Sequence, residues 1–330
     1  MRKIILLLIA VVFFIGYEFT LIYKEPTSCG EKAIDIPAHA SLRRIASLLH
    51  DEGVLQNKWT MVFFAKITGA AHRVQSGEFM FHTPSSPKSA LEILLHGTVV
   101  LHKVTIPEGS TVADMAPWFE EAKIISKDEF IKASRDPKLL EQLGVPSDRI
   151  EGYLFPSTYL FPKREKVKKI FEVMMGELQK NLTPEDRSKA AAFGWNLHQW
   201  ITFASVVEKE TGNQNEHVIV SSVFHNRLNK GMKLQSDPTV IYGIENYDGN
   251  IHKKDLLTDT PYNTYTRKGL PIGPVANPGA DALHASVNPA TTDYLYFVGN
   301  GQGVHIFSKT YEEHNKAVKK FQVDPFLKNN

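Results

Sequence analysis

The sequence predicts an α+β protein: an N-terminal transmembrane helix, then a strand-helix-helix-strand module, then a larger mixed α+β domain with a glutamate-bearing helix. Three observations lead there. They are an apolar run from Ile4 to Tyr23, a motif that recurs between residues 36 and 128, and a change beyond Glu151 to aromatic, proline-rich and helical segments. The 330 residues, 42% of them apolar, suffice for one large domain or two ordinary ones. Lys plus Arg number 38 against 36 Asp plus Glu, so net charge points neither to nucleic acid nor to an acidic partner. The single cysteine, Cys29, precludes an internal disulfide, and no Cys/His cluster has zinc spacing. The thirteen histidines include no HExxH pattern, so neither a metal nor a cofactor is expected.

At roughly 1.5 Å per residue, Ile4 to Tyr23 crosses a hydrocarbon core of about 30 Å. Only Glu18 interrupts it, near the far interface. Its bulky residues offer no small-x-small cleavage site, which predicts an uncleaved anchor. Arg2 and Lys3 precede it and place the N-terminus in the cytoplasm, which sends Lys24 onward to the extracytoplasmic side. Around Cys29, "KEPTSC" puts charge and proline where a lipoprotein signal needs small apolar residues, so the thiol is read as incidental.

After a linker over residues 24–32, "IPAHASLRRIASLLHDEGVLQNK" (Ile36 to Lys58) returns without a gap as "IPEGSTVADMAPWFEEAKIISKD" (Ile106 to Asp128). In each copy an extended segment meets proline, a Ser or Thr caps a helix with apolar residues three and four apart, and a second helix follows. "SGEFMFHTP" then alternates like a strand and closes the first unit. The pattern resembles a LysM module, a fold that holds N-acetylglucosamine-containing glycans, over residues 33–103, with a second repeat or connecting region over 104–150. An α+β spacer that carries the rest of the chain away from the membrane fits the same pattern.

Residues 151–330 are predicted to form the functional domain. "EGYLFPSTYLFP" (Glu151 to Pro162) reads as an ordered loop, Glu165 to Ala192 as polar helix, and "HVIVSSVFHNRLNKG" as an amphipathic helix stopped by Gly231. In "YLYFVGNGQGVHIFS" strand-like alternation flanks the glycines, so a hairpin fits better than a phosphate loop. "FASVVEKETG" (Phe203 to Gly212) is helical, with its apolar face centred on Trp200, Ala204 and Val207 and with Glu208 and Glu210 on the flanks. The wheel does not choose between the two glutamates. Glu210 precedes a helix stop at Thr211 and Gly212, where unpaired carbonyls and partial burial raise a carboxyl pKa toward what a general acid needs. Glu208 reads as a surface or ion-paired residue.

The stretches "EGYLFPSTY", "ASVVEKET", "FHNRLNKGMKLQSDPTVIYG", "YNTYTRKGLPIGPVANPGADAL" and "YLYFVGNGQGVHIFS" occur in that order and resemble the signatures of the MltG or YceG-like endolytic murein transglycosylases. The resemblance covers nearly the whole chain. It implies that the second glutamate of Glu-Lys-Glu-Thr, Glu210, is catalytic: it protonates the bridging oxygen between N-acetylmuramic acid and N-acetylglucosamine. As carboxylate it then takes the proton from the C6 hydroxyl of the muramic sugar, which closes a 1,6-anhydro ring. Peptidoglycan strands are the implied substrate, the cytoplasmic membrane the partner of residues 4–23, and peptidoglycan synthases and division proteins the candidate protein partners.

Further candidates for sugar contacts are Thr211, Gln235, Asp237, Thr239, Tyr262, Asn263 and Tyr265. Amides and hydroxyls suit N-acetyl and hydroxyl groups, and aromatic faces suit sugar rings. Asp237 equally suits a helix cap before Pro238, and Tyr262 and Tyr265 equally suit a core. Two other function classes compete, a non-catalytic wall-binding scaffold and a two-carboxylate muramidase. An intact Glu-Lys-Glu-Thr stretch argues against the first, and anhydro rather than reducing product ends distinguish the second.

Overall fold

The computed structural model describes residues 9, 13, 16, 17, 19–27 and 30–324. Cys29 and much of the Ile4–Tyr23 run lie outside the described residues, among which no helix is long and apolar enough to cross a membrane. The fold is mixed α+β and separates into two compact units.

The first unit holds residues 1–102 and 160–164. Strand β1 (Gly30–Ile36) pairs antiparallel with β2 (Gly77–Thr83), in a register that sets Ile34 opposite Phe79 and Lys32 opposite Phe81. Between them run α1 (Leu42–Asp51) and α2 (Lys58–Ile67), and α3 (Pro87–His96) follows. Ser41, Asn57 and Ser86 cap these helices through side-chain oxygens that accept backbone N–H groups, as the motif predicts at Ser41. Ile36, Ala46, Leu49, Phe79, Phe81 and Leu94 are fully enclosed and form the core. The buried Glu78 carboxylate is opposed by its own burial. Lys163 at 2.5 Å and His102 at 2.6 Å nonetheless hold it below the usual carboxylate range.

The second unit holds residues 103–159 and 165–330. The chain leaves the first unit along β3 (Leu101–Thr105) and returns to it along β4 (Thr158–Pro162), the two strands pairing with each other, and between them in sequence lie α4 (Val112–Glu121), α5 (Lys127–Ala133) and α6 (Pro137–Leu143). The recurring motif thus has the same local structure in both copies, and Thr111 caps α4 with a reciprocal bond to Asp114. The end of "EGYLFPSTYLFP", expected as loop, forms β4. Its Tyr159 and Phe161 alternate inward with the exposed Thr158 and Leu160, a strand period that the prolines obscure.

The polar stretch expected as helix from Glu165 to Ala192 is two helices, α7 (Val167–Asn181) and α8 (Pro184–Ala192), because Thr183 caps a new helix at Pro184. Next come α9 (Leu197–Glu210), α10 (His217–Asn229), α11 (Asp237–Tyr242), α12 (Lys253–Leu257) and α13 (Ala280–Val287). The glycine-rich stretch is the expected hairpin: β5 (Tyr296–Gly299) pairs antiparallel with β6 (His305–Ser308), ahead of α14 (Tyr311–Val318).

Helix α9 is the centre of this unit. Every residue from Trp200 to Val207 is buried, so the helix is enclosed on all sides rather than amphipathic. α10, α11 and α13 pack around it. Trp200 Nε1 donates to Leu283 O at 3.0 Å and Ser286 Oγ at 2.7 Å on α13, and the Val275 amide donates to Ser205 Oγ at 3.0 Å. α10, expected as amphipathic, is likewise buried over most of its length, including Ser221, Ser222, His225 and Arg227.

Gly152 sits at φ +88°, in the left-handed region, and a Cβ there would lie 2.4 Å from Pro274 Cβ and 2.8 Å from Ile201 Cγ2 of α9. Gly152→Ala therefore combines backbone strain with overpacking and is expected to destabilise the protein by about 2–4 kcal/mol. Chemical denaturation followed by circular dichroism measures this, and a midpoint unchanged from the parent would show that the contact relaxes freely.

Candidate active site

Glu210 is the last residue of α9, and Thr211 leaves the helix in an extended conformation. The residue keeps partial access to solvent, but its carboxyl is pushed up to about 7. Burial is the main cause, and the nearby Asp237 carboxylate adds to it. Two groups oppose the rise. The Ser236 hydroxyl favours the ionised carboxyl, and the Arg227 guanidinium attracts it. Ser236 Oγ is enclosed, and no aligned hydrogen bond joins it to any group among the described residues. It is therefore free to donate to a carboxylate or accept from a carboxylic acid.

The loop facing Glu210 is held by a ladder of bonds. Gln235 N donates to Thr264 O at 3.2 Å, Ser236 N to Thr264 Oγ1 at 3.0 Å, and Tyr265 OH to Asp237 Oδ1 at 2.6 Å. Arg227, buried on α10, donates to the carbonyls of Leu295, Lys233 and Leu234 and, at 3.3 Å, to Gln235 Oε1. Gln235 itself has φ +52°, a left-handed conformation that a non-glycine residue adopts only where its surroundings impose it. Burial lowers the affinity of Arg227 for its proton. Five donors on a fixed guanidinium still make it a stable cationic neighbour of the site.

The predicted residues separate into two groups. Glu210, Gln235, Asp237 and Tyr265 come together, with Gln235 and Asp237 exposed. Thr211, Thr239 and Asn263 do not present their side chains to a ligand. Thr211 Oγ1 donates to Glu216 Oε2, which also accepts from His305 Nδ1 at 2.7 Å. Thr239 Oγ1 donates to Ser236 O and pairs with Thr264 Oγ1, and Asn263 Nδ2 reaches the carbonyls of Asp255, Leu256 and Thr258. All three are buried, which spends their polar groups on bracing the loops around Glu210. Asp237 is not the helix cap. Ser236 takes that position, and the Asp237 carboxylate instead accepts from Tyr265.

Glu208, expected at the surface or in an ion pair, is neither. It is partly buried and accepts a bond from Gly279 N at 2.9 Å. Its pKa is raised, first by burial and further by the nearby Glu108. Tyr262 lines a cavity of about 1090 Å³ together with Arg135, Arg149, Glu151 and Tyr242; Lys209 and Pro238, the chain neighbours of Glu210 and Asp237, also line it, but Glu210 itself does not. The Arg149 guanidinium sits 5.5 Å from the Tyr262 ring centre. Glu151, the first residue of "EGYLFPSTY", is a third raised carboxyl, pushed up to about 7 by burial. The donors Val112 N, Tyr242 OH and Asn277 Nδ2 oppose that shift.

Sequence reasoning missed Ser236, Arg227 and Glu216. Ser236 stood between two nominated residues, and Arg227 was an isolated charge in an apolar helix pattern. Glu216 had no local signal. Among the described residues no three His, Cys, Asp or Glu side chains are grouped to hold a metal ion.

A carboxyl pushed up to about 7 at the end of a buried helix, facing a clamped polar loop in an α+β protein, has the properties that general acid-base chemistry requires. Over residues 34–320 the chain matches the YceG-like family, and it belongs to that family. It is 32% identical over 304 residues to a Bacillus subtilis (strain 168) protein named endolytic murein transglycosylase, covering 87% of this chain and 84% of that one. A protein of the same name from Streptococcus pneumoniae serotype 2 is 29% identical over 92% of this chain, which spans 61% of that protein's length. The crystal structure of a YceG-like protein from Listeria monocytogenes superposes with a TM-score of 0.60 at 31% identity, covering 87% of this chain and 99% of that one.

The raised pKa has a measurable consequence for stability. With a folded-state pKa of about 7 against 4.5 unfolded, Glu210 favours the folded protein fully only below pH 4.5, and that contribution is lost as pH rises through 7. Glu210→Gln escapes this loss. At pH 8 the variant should exceed the parent in unfolding free energy by on the order of 2 kcal/mol, the gap closing toward pH 4.5. Denaturant titrations at several pH values measure it, and a gap independent of pH would mean that Glu210 titrates normally.

Proposed function

We propose that this protein is an endolytic peptidoglycan transglycosylase: it cleaves the β-1,4 bond between N-acetylmuramic acid and N-acetylglucosamine within glycan strands and leaves a 1,6-anhydro-muramic end. The observation that carries the reading is Glu210, a carboxyl near neutrality at the end of α9. The relatives named endolytic murein transglycosylase support the same reading.

In this reading the protonated Glu210 donates to the glycosidic oxygen as the bond to the anomeric carbon breaks. The resulting carboxylate then accepts the C6 hydroxyl proton as that oxygen attacks the anomeric carbon. Net, one C–O bond is broken, one is formed, and water is not consumed. A single group must therefore favour the acid first and the base later, which a pKa near the working pH allows. Ser236 can hydrogen-bond either form, and Arg227 attracts the carboxylate. Gln235, Asp237 and Tyr265 contact the sugar, while Thr211, Thr239 and Asn263 support that surface from beneath. Asp237 is also the carboxylate that a hydrolytic muramidase would use as its second group, so the nature of the product end separates the two reactions.

The chain is anchored in the cytoplasmic membrane through residues 4–23, with the remainder extracytoplasmic and within reach of peptidoglycan synthases and division proteins. The strand-helix-helix-strand module at residues 33–103 serves as the LysM-like glycan-binding part, residues 104–150 as its second repeat, and residues 151–330 as the catalytic domain.

Glu210→Gln is expected to lower strand cleavage on isolated sacculi by about 10²–10⁴-fold or more. Parent products should carry anhydro ends by mass spectrometry. Retained activity in the variant would sink the assignment of Glu210, and reducing ends would replace the transglycosylase by a muramidase. The fragment of residues 33–97 is expected to be retained on insoluble peptidoglycan, and its absence from the pellet would favour a spacer.

A further inference from the structure

Helix α2 of the first unit turns Thr60, Met61, Val62 and Ala65 into the core and leaves a second apolar face uncovered. Trp59, Phe63 and Ile67, at positions i, i+4 and i+8, are 59%, 53% and 68% exposed. At 100° per residue these three span a narrow stripe, with the exposed Lys66 on the same face, while Lys58 turns away from it, donating to Ser47 Oγ of α1 at 3.4 Å with its Nζ 5.9 Å from the Trp59 ring centre. Three large apolar side chains with a lysine among them on one exposed helix face are unusual where water is the only neighbour.

The position of this face in the unit indicates what covers it. Residues 19–23 are helical and carry the end of the apolar run. Phe19 stacks on Tyr23 at 4.4 Å, and the Tyr23 ring meets Phe64 of α2 edge-on at 5.9 Å, next in sequence to the exposed Phe63. Lys88 Nζ lies 5.3 Å from the Tyr23 ring centre. The chain is then tied down by Glu25, whose carboxylate accepts from Ser86 Oγ at 2.6 Å and Ser86 N at 3.2 Å, where α3 begins. The apolar run therefore ends on α2, beside the stripe, through fixed contacts.

We infer that the Trp59–Phe63–Ile67 face of α2 lies in the surface of the bilayer that holds residues 4–23. The three side chains enter the acyl region just below the headgroups, and Lys66 meets anionic lipid phosphates. Tryptophan at such an interface gains from burying its ring while its N–H stays near water, and lysine stems extend to the headgroups. Each apolar side chain adds membrane affinity in proportion to the area it buries. The first unit is thus held flat against the membrane rather than swinging on a linker. This inference rests on the anchor reading above.

Trp59 is the reporter, because the other tryptophans, Trp118, Trp195 and Trp200, belong to the second unit. The full chain is reconstituted in phosphatidylethanolamine and phosphatidylglycerol vesicles, with acyl chains either plain or brominated near the headgroup end. Brominated lipid is expected to quench roughly the share of one of the four tryptophans. Trp59→Phe should abolish that loss, and the double variant Phe63→Ser, Ile67→Ser, altered only at exposed positions, should reduce it. Flotation on a density gradient is measured in parallel. A chain that fails to float overturns the anchor and the inference with it. A chain that floats unquenched overturns the inference alone, as does a dimer in the vesicles that the double variant dissociates, which would assign the face to a second copy.

Discussion

The structure of the second unit depends on the burial of α9 on all sides. A helix with one wet face can rotate or slide by a fraction of a turn at little cost. One whose residues from Trp200 to Val207 all meet protein cannot, because each large apolar side chain contributes about 1.5–3 kcal/mol only in its own slot. Trp200 is fixed further by its indole N–H on α13, and Ser205 by the Val275 amide. The position of Glu210, one turn beyond the enclosed stretch, follows from that constraint. Glu208 shares the turn but accepts from the Gly279 amide, so the two glutamates, which the helical wheel did not separate, have different partners.

Opposite this helix end, the unit invests many hydrogen bonds in one short loop. Thr239, Thr264 and Arg227 donate to or accept from the backbone on both sides of Ser236, and Gln235 is kept at a positive φ. Buried polar groups that are satisfied within the protein make a rigid wall, whereas the same groups left to water would let the loop move. Rigidity matters for a single carboxylate that, in the proposed mechanism, acts as acid and then as base. The groups that tune its pKa, Ser236, Asp237 and Arg227, all sit on or against this wall. The loop after Glu210 is fixed from the other side through Thr211, Glu216 and His305.

Three carboxyls of the second unit, Glu151, Glu208 and Glu210, have raised pKa values with burial as the leading cause, so a raised pKa does not by itself mark the working residue. Their partners discriminate. Glu151 is surrounded by donors that join α4, α11 and the Asn277 loop, the pattern of a structural brace. Glu208 accepts a backbone amide. Glu210 has only a nearby hydroxyl and opposing charges, which leaves its proton available.

The sequence by itself determined what depends on neighbours along the chain. The capped helices after Ile36-Pro37 and Ile106-Pro107 and the β5–β6 hairpin were legible, because caps and turns are local, whereas the equally local Thr183-Pro184 break went unread in the stretch expected as one polar helix. The family motifs carried the rest of that reading. What only the tertiary structure decided involves residues far apart in sequence. Whether α9 and α10 are enclosed depends on α13 and on loops some 70 residues away, so an amphipathic wheel misjudged both. The assignment of Thr211, Thr239 and Asn263 to internal bracing, and the inclusion of Ser236 and Arg227 in the site, required knowing which backbone groups lacked partners. A side chain's type states which hydrogen bonds it can make, but only the packed chain determines which of them are taken.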